Sequence, residues 1–366
     1  MKIISIIAKT CVILFLLVFC ACQKEDDIPE NPVIRTIIVY MAADNDLSFD
    51  AFENLQQMKK GFSETGTRLV VFLDQIDENP CLAEVHPGKD VIVKSYSELN
   101  SANPDVLREV IRDVIDLYPA QEYGLILWSH GTSWLPAGST LRSFGNDNGK
   151  QMNIPDLAES LPVKFSFILF DACLMGAVEV AYELKDKTDY IIASSMETIA
   201  DGFPYEQIIP QLIQPKIDFN AVAQSYFDYY NTQKNAYRSA TVSVIETRYL
   251  PELAYSLKQL FESNPVNLQS FDRKSVQRLD IYGEQYVFDL SDFVDKVLPE
   301  ANKDNFTAQL NRVVQYKNHT PQFLMKYDIK TYCGLSCYIP LSGRNDLNVY
   351  YKTLKWYRDA GLNNLF

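Results

Sequence analysis

The sequence predicts an α/β protein with a mostly parallel central sheet covered by helices on both faces. Three observations carry this. Short runs of consecutive apolar residues recur through the first two hundred positions, as strands buried on both faces require. Segments of helical periodicity alternate with those runs. Hydrophobic residues make up 47% of the 366 positions, with 20 Phe and 22 Tyr, enough to fill a core on each side of a sheet.

The first 21 residues stand apart from that pattern. Lys2 and Lys9 precede the apolar stretch VILFLLVFCAC, which is too short for a spanning helix and reads as a secretory signal. Its end, Phe19-Cys20-Ala21-Cys22, resembles a bacterial lipobox, which implies cleavage before Cys22 and lipidation of its thiol. The acidic Gln23-Lys24-Glu25-Asp26-Asp27 resembles the tether of Bacteroidetes surface lipoproteins. Residues 22–33 are therefore expected to be a polar tether. They would link an outer-membrane lipid anchor, facing periplasm or cell surface, to one extended domain at 34–366.

Within that domain IRTIIVYMA (34–42) reads as a buried strand, LSFDAFENLQQMKKGF (47–62) as an amphipathic helix and TRLVVFLDQ (67–75) as the next strand. Residues 81–97 suggest a hairpin turning at His86-Pro87-Gly88, and PDVLREVIRDVIDLY (104–118) is a strongly periodic helix. Strands follow at YGLILWSHG (123–131), FSFILFDAC (165–173) and DYIIASSM (189–196). Helices IPDLAESL (154–161) and MGAVEVAYELKD (175–186) lie between them. The remainder reads as more helical, at 205–214, 218–232, 249–262 and much of 270–315. It carries two more strands, ATVSVIE (240–246) and GLSCYIP (334–340).

The 34 basic and 47 acidic residues give a net charge of −13, which excludes nucleic acid as a partner, since phosphate binding needs clustered Lys and Arg. Of seven cysteines, Cys11 and Cys20 lie in the signal and Cys22 takes the lipid. Cys81, Cys173, Cys333 and Cys337 are too few for a disulfide framework. The last two read as small core residues.

Chemistry is expected at the carboxyl ends of the parallel strands. Of three histidines, His86 sits in a Pro-Gly turn and His319 in the polar stretch KNHTPQ, both reading as solvated surface residues. His130 differs: it leaves the end of the buried run Leu125-Ile126-Leu127-Trp128-Ser129, with Gly131 after it. Cys173 leaves the end of another buried run. Taken singly, each reads as a core or structural residue. Together, at two strand ends, they suit nucleophilic catalysis, because a thiol of ordinary pKa needs a neighbouring imidazole to take its proton. A helix from Met175 would set its positive end beside the sulfur, and the amides of Gly131 and Cys173 could hold an oxyanion.

Trp128-Ser129-His130-Gly131 and Asp171-Ala172-Cys173-Leu174-Met175-Gly176, each behind a hydrophobic run, resemble the clostripain family of cysteine peptidases in the caspase-like clan. Weaker similarity lies in Tyr40 to Leu47, in Ser194 to Tyr205, and in Gly334 to Pro340, so the resemblance spans about residues 34–340. It implies a caspase-like α/β/α sandwich with extra C-terminal helices. It also implies peptide-bond hydrolysis through an acyl-enzyme, with Cys173 as nucleophile and His130 as general base. No third member is obvious. The family's preference for Arg or Lys maps its pocket onto Asp171, Thr198 and Asp201, and a buried cationic side chain needs such a carboxylate.

Relatives are often nicked between histidine and cysteine after a basic residue. Here that segment is a long irregular loop holding Arg142 and Lys150, of which Lys150, after Asn148-Gly149, reads as the more mobile. No metal or cofactor is expected. Some relatives depend on Ca²⁺, but no EF-hand-like spacing is present. The Asp44-Asn45-Asp46 and Asn146-Asp147-Asn148 stretches read as solvated loops. The competing reading is a catalytically silent surface lipoprotein of this fold that only binds a partner.

Overall fold

The computed structural model describes residues 33–136, 143–266, 268 and 271–364. The signal segment, Cys22, tether residues 22–32 and Arg142 lie outside the described residues. Val33–Phe366 fall in one compact unit.

The strands are β1 (Arg35–Ala43), β2 (Thr67–Gln75), β3 (Cys81–His86), β4 (Lys89–Ser95), β5 (Glu122–Trp128), β6 (Phe144–Asp147) and β7 (Lys150–Met152). They continue as β8 (Phe165–Asp171), β9 (Thr188–Ala193), β10 (Thr241–Glu246), β11 (Phe288–Asp289) and β12 (Val314–His319). Three short ones follow: β13 (Gln322–Phe323), β14 (Tyr327–Asp328) and β15 (Ser336–Cys337). The helices that cover the sheet include α1 (Ser48–Gly61), α2 (Pro104–Leu117), α3 (Ile154–Ser160), α4 (Val178–Leu184), α5 (Tyr205–Leu212), α6 (Phe219–Asn231) and α7 (Leu250–Ser263). Smaller helices α8 (Leu290–Val297) and α9 (Asp304–Val313) come later.

Nine strands form the central sheet in the order β12-β10-β9-β8-β5-β1-β2-β3-β4. Its middle, β9-β8-β5-β1-β2, is parallel, and antiparallel strands flank it on both sides. All nine residues of β1 are buried. Alternation divides them: Ile38, Tyr40 and Ala42 enter one core, while Ile37, Val39, Met41 and Ala43 enter the other. On the first face lie Leu107, Val110, Ile111 and Val114 of α2 together with α3, α4 and α7. On the second lie α1, α5 and α6, through side chains such as Leu55, Ile208 and Tyr226. Two cores on two faces make the α/β/α sandwich. Among the described residues no helix is long and apolar enough to cross a membrane.

Several expectations need correction. The helix after Cys173 starts at Val178, not Met175, because Gly176 is drawn into sheet-like bonding instead, its N–H donating to Ser194 O and its C=O accepting from Ser336 N. Only Ser336 and Cys337 of the 334–340 run form a strand, paired with β11, and Cys333 and Cys337 are buried and unbridged. Residues 270–315 are less helical than their periodicity suggests. His319 lies in β12, an edge strand that the polar sequence hid, with its ring against Tyr332. His86 stays at the surface as expected, where it meets Glu64 at 3.2 Å. The segment read as an irregular loop after Gly131 contains the β6–β7 hairpin, closed by Asn148 (φ 47°) and Gly149 (φ 74°). An Asn-Gly pair with two positive φ angles is the signature of a tight hairpin turn.

Candidate functional site

β5 and β8 are parallel neighbours, with Trp128 level with Asp171. Paired strands lie about 4.8 Å apart, and two residues beyond this pair come His130 and Cys173. The join is held beyond the strands, since Ser129 N donates to Asp171 O at 3.3 Å. On its other side β5 pairs with β1, and Ser129 Oγ donates to Ala42 O at 2.6 Å. Three strand ends therefore meet here: β1, β5 and β8.

The turn after β8 aims the thiol. Leu174 adopts a left-handed conformation (φ 64°), held by full burial and by its N–H donating to Met196 O at 2.8 Å. A non-glycine residue there stores on the order of 1–3 kcal/mol, tolerated only when surrounding structure over-determines it. Gly131 packs so closely on this turn that a β-carbon would stand 2.7 Å from Cys173 O. Neither the Gly131 nor the Cys173 amide donates to a backbone carbonyl in the turns and loops of the described residues.

The segment after β9 closes the site. Thr198 N donates to Cys173 Sγ at 3.2 Å, and the thiol in turn faces Thr198 O at 3.7 Å. Asp171 is buried, and its Oδ2 accepts from Phe203 N (2.9 Å) and Tyr205 Oη (2.8 Å). Burial pushes its carboxyl up to about 6, and those two bonds pull the other way. Asn54 on α1 accepts from Trp128 Nε1 at 2.8 Å and donates to Asp201 O at 3.0 Å, tying the segment to the sheet. Nothing in the sequence alone singles out Asn54.

The result is a cleft of about 210 Å³ whose walls include His130, Cys173, Asp171, Thr198 and Leu47. Asp201 is exposed and stands outside that wall, at a rim where it raises the Asp50 carboxyl after burial does. Burial also pushes the Cys173 thiol up to about 12, with the Thr198 amide opposing and Glu197 and Asp171 adding to the rise. Burial therefore favours the neutral thiol over the thiolate. With α4 starting only at Val178, the helix dipole expected from Met175 does not counter this.

A contact the sequence did not reveal completes the site: His130 Nε2 meets Asp46 Oδ1 at 2.8 Å. The Asp44–Asp46 and Asn146–Asn148 stretches read as solvated loops are bonded together, Asn45 Nδ2 donating to Asn146 O at 2.7 Å. Asp147 is fully buried and accepts from Ser101 N at 2.6 Å. Among the described residues no group of three or more His, Cys, Asp or Glu is placed to hold a metal ion. Lys150 is exposed at the start of β7, paired with Asp147 rather than in irregular chain.

Known proteins share this arrangement of chain. The structure superimposes on an inactive zymogen C11 protease from Parabacteroides distasonis with a TM-score of 0.81 and 32% identity, covering 90% of this chain and 98% of that one. It matches a secreted C11 cysteine protease from Bacteroides thetaiotaomicron, solved in complex with an irreversible peptide inhibitor, with a TM-score of 0.79 and 29% identity over 90% and 99% of the two chains. Clostripain from Hathewaya histolytica is 24% identical over 219 residues, 48% of this chain but only 42% of that protein's length. The Peptidase_C11 profile matches residues 39–350, and the chain belongs to the clostripain family of cysteine peptidases.

Proposed function

We propose that the protein is an endopeptidase cleaving after Arg or Lys, with Cys173 as nucleophile and His130 as general base and then acid. The observation that carries this is the β5–β8 register, Trp128 opposite Asp171, with His130 and Cys173 each two residues beyond that pair and both lining one cleft. As substrate enters, His130 takes the thiol proton while Sγ attacks the carbonyl carbon. The Gly131 and Cys173 amides receive the oxyanion. The peptide C–N bond then breaks, His130 returns its proton to the leaving amine, and water hydrolyses the acyl-enzyme. Because burial favours the neutral thiol, the base is needed for each acylation.

A preference for basic side chains is supported by acids at two depths, Asp171 in the wall and the exposed Asp201 outside it, with Thr198 beside the sulfur. The lipobox-like Cys22 supports attachment to the outer membrane through an acylated amino terminus. Self-processing would cut after Arg142 or Lys150. Lys150 would have to leave the β6–β7 hairpin to enter an extended groove, whereas Arg142 directly precedes Ser143, whose C=O accepts from Thr132 N at 2.8 Å. Either cut would loosen the segment bonded beside His130.

The test compares peptides bearing Lys, Arg, Leu or Glu before the scissile bond, using wild type, Cys173→Ala and His130→Ala. Turnover of the basic peptides by wild type and none by either variant is expected, with thermal midpoints unchanged. Appreciable turnover by Cys173→Ala removes the nucleophile assignment. Preference for Leu or Glu removes the acidic-pocket reading, and a fully folded but inert wild type favours a silent binding protein.

A further inference from the structure

We propose that Asp46 is a positioning residue that fixes the tautomer of His130, adding a third, orienting member to the proposed dyad; the inference rests on the peptidase reading above. An ionised carboxylate can only accept, so at 2.8 Å from Asp46 Oδ1 the His130 Nε2 carries the proton. The neutral imidazole then has its lone pair on Nδ1, the remaining nitrogen and the one that can receive the proton of Cys173. Without a fixed partner on Nε2, the ring could carry its proton on Nδ1 instead, and in that form it cannot act as base towards the sulfur from that nitrogen.

The loop bearing Asp46 is built to hold it. Asn45 braces the chain from within: its Oδ1 accepts from Leu47 N at 2.9 Å, and its Nδ2 donates to Ala42 O at 3.0 Å and to Asn146 O at 2.7 Å. Asn146 belongs to β6, and the same strand bonds the backbone of the histidine, Gly145 N donating to His130 O at 3.0 Å. One hairpin thus fixes both partners of the contact. The carboxylate itself is 78% exposed while His130 is 23% exposed, so water screens its charge. Its effect is expected through orientation more than through stabilising an imidazolium, and it stays well below that of a buried triad aspartate.

When the thiol adds to the carbonyl, its proton passes from Sγ to Nδ1 and the Sγ–C bond forms. The proton on Nε2 remains there, bonded to Asp46. On collapse, the Nδ1 proton goes to the departing nitrogen and the ring returns to its starting tautomer. Asp46 neither gains nor loses a proton in this cycle.

The experiment measures kcat and KM on a lysine-ended peptide for wild type, Asp46→Ala and Asp46→Asn, and records ¹⁵N spectra of the histidine rings. Only three histidines are present, which makes His130 assignable. Spectra are taken on Cys173→Ala, with and without Asp46→Ala, so that self-cleavage does not interfere. Asp46→Ala is expected to lower kcat about tenfold with KM within about twofold. Asp46→Asn should not restore the loss, because its amide can rotate to donate to Nε2 and favour the Nδ1–H form. The spectra should show the Nε2–H form when Asp46 is present and a tautomer mixture when it is not. Unchanged kcat in Asp46→Ala, or a predominant Nδ1–H form with Asp46 in place, would overturn the proposal. A wild type with no turnover would instead sink the peptidase reading, and the ring spectra would still decide whether Asp46 sets the tautomer.

Discussion

Replacing Gly202 by alanine should damage the pocket and the fold together, and the size of the effect follows from local geometry. Gly202 has φ 70°, where an added β-carbon costs about 1 kcal/mol. That carbon would lie 2.5 Å from Asp171 Oδ2 and 2.8 Å from Asn54 Oδ1. Neither neighbour can retreat freely. Asp171 Oδ2 is held by Phe203 N and Tyr205 Oη, and Asn54 by Trp128 Nε1. Relief therefore means giving up at least one buried hydrogen bond to a charged or partly charged group, roughly 1–3 kcal/mol. About 3 kcal/mol in all is expected, which at about 2.1 cal/mol/K of unfolding entropy per residue lowers Tm by about 4 °C for a chain of this size. Calorimetry on Gly202→Ala in a Cys173→Ala background measures this without self-cleavage. The same substitution in the active chain should raise KM for lysine-ended peptides, since the segment after β9 must shift away from Asp171. Gly202→Asn separates the two causes, because asparagine tolerates the left-handed backbone but keeps the β-carbon. A Tm within about 1 °C of the parent for Gly202→Ala, or full recovery in Gly202→Asn, would refute the steric argument.

Two further outcomes are expected. With its thiol pushed up to about 12, Cys173 holds its proton throughout the neutral range, and its thiolate fraction grows as pH rises. Alkylation of Cys173 by iodoacetamide should accordingly accelerate about tenfold per pH unit between 7 and 9, and a rate already level at pH 8 would show that the resting sulfur is ionised. Purified wild type should resolve into two fragments on a denaturing gel where Cys173→Ala stays whole, with the new amino terminus at Ser143 or Gln151. Single intact bands from both, with the wild type active, would mean that cleavage is no part of activation.

The sequence alone determined the class of fold and the place of the chemistry, because both rest on local pattern. A strand buried on both faces must be apolar throughout, so β1, β5, β8 and β9 announce themselves, and a polar residue at such a run's end marks the sheet's edge. His130 and Cys173 were legible for that reason. Asn148-Gly149 reads only as a mobile stretch of loop, because the long polar segment around it conceals two strands of four and three residues. What only the tertiary structure decided is which strands lie side by side and in what register. The pairing of Trp128 with Asp171 is a property of nine strands packed between two layers of helices. Asp46 reaches His130 across 84 positions of chain, and Asn54 reaches Trp128 across 74. The late start of α4 has the same origin, since the bonds that Gly176 makes to Ser194 and Ser336 come from distant strands. Periodicity and propensity act over a turn or a strand, whereas a positioning contact is selected by whatever the folded chain brings within three ångströms. That information belongs to the packing and has no local signature.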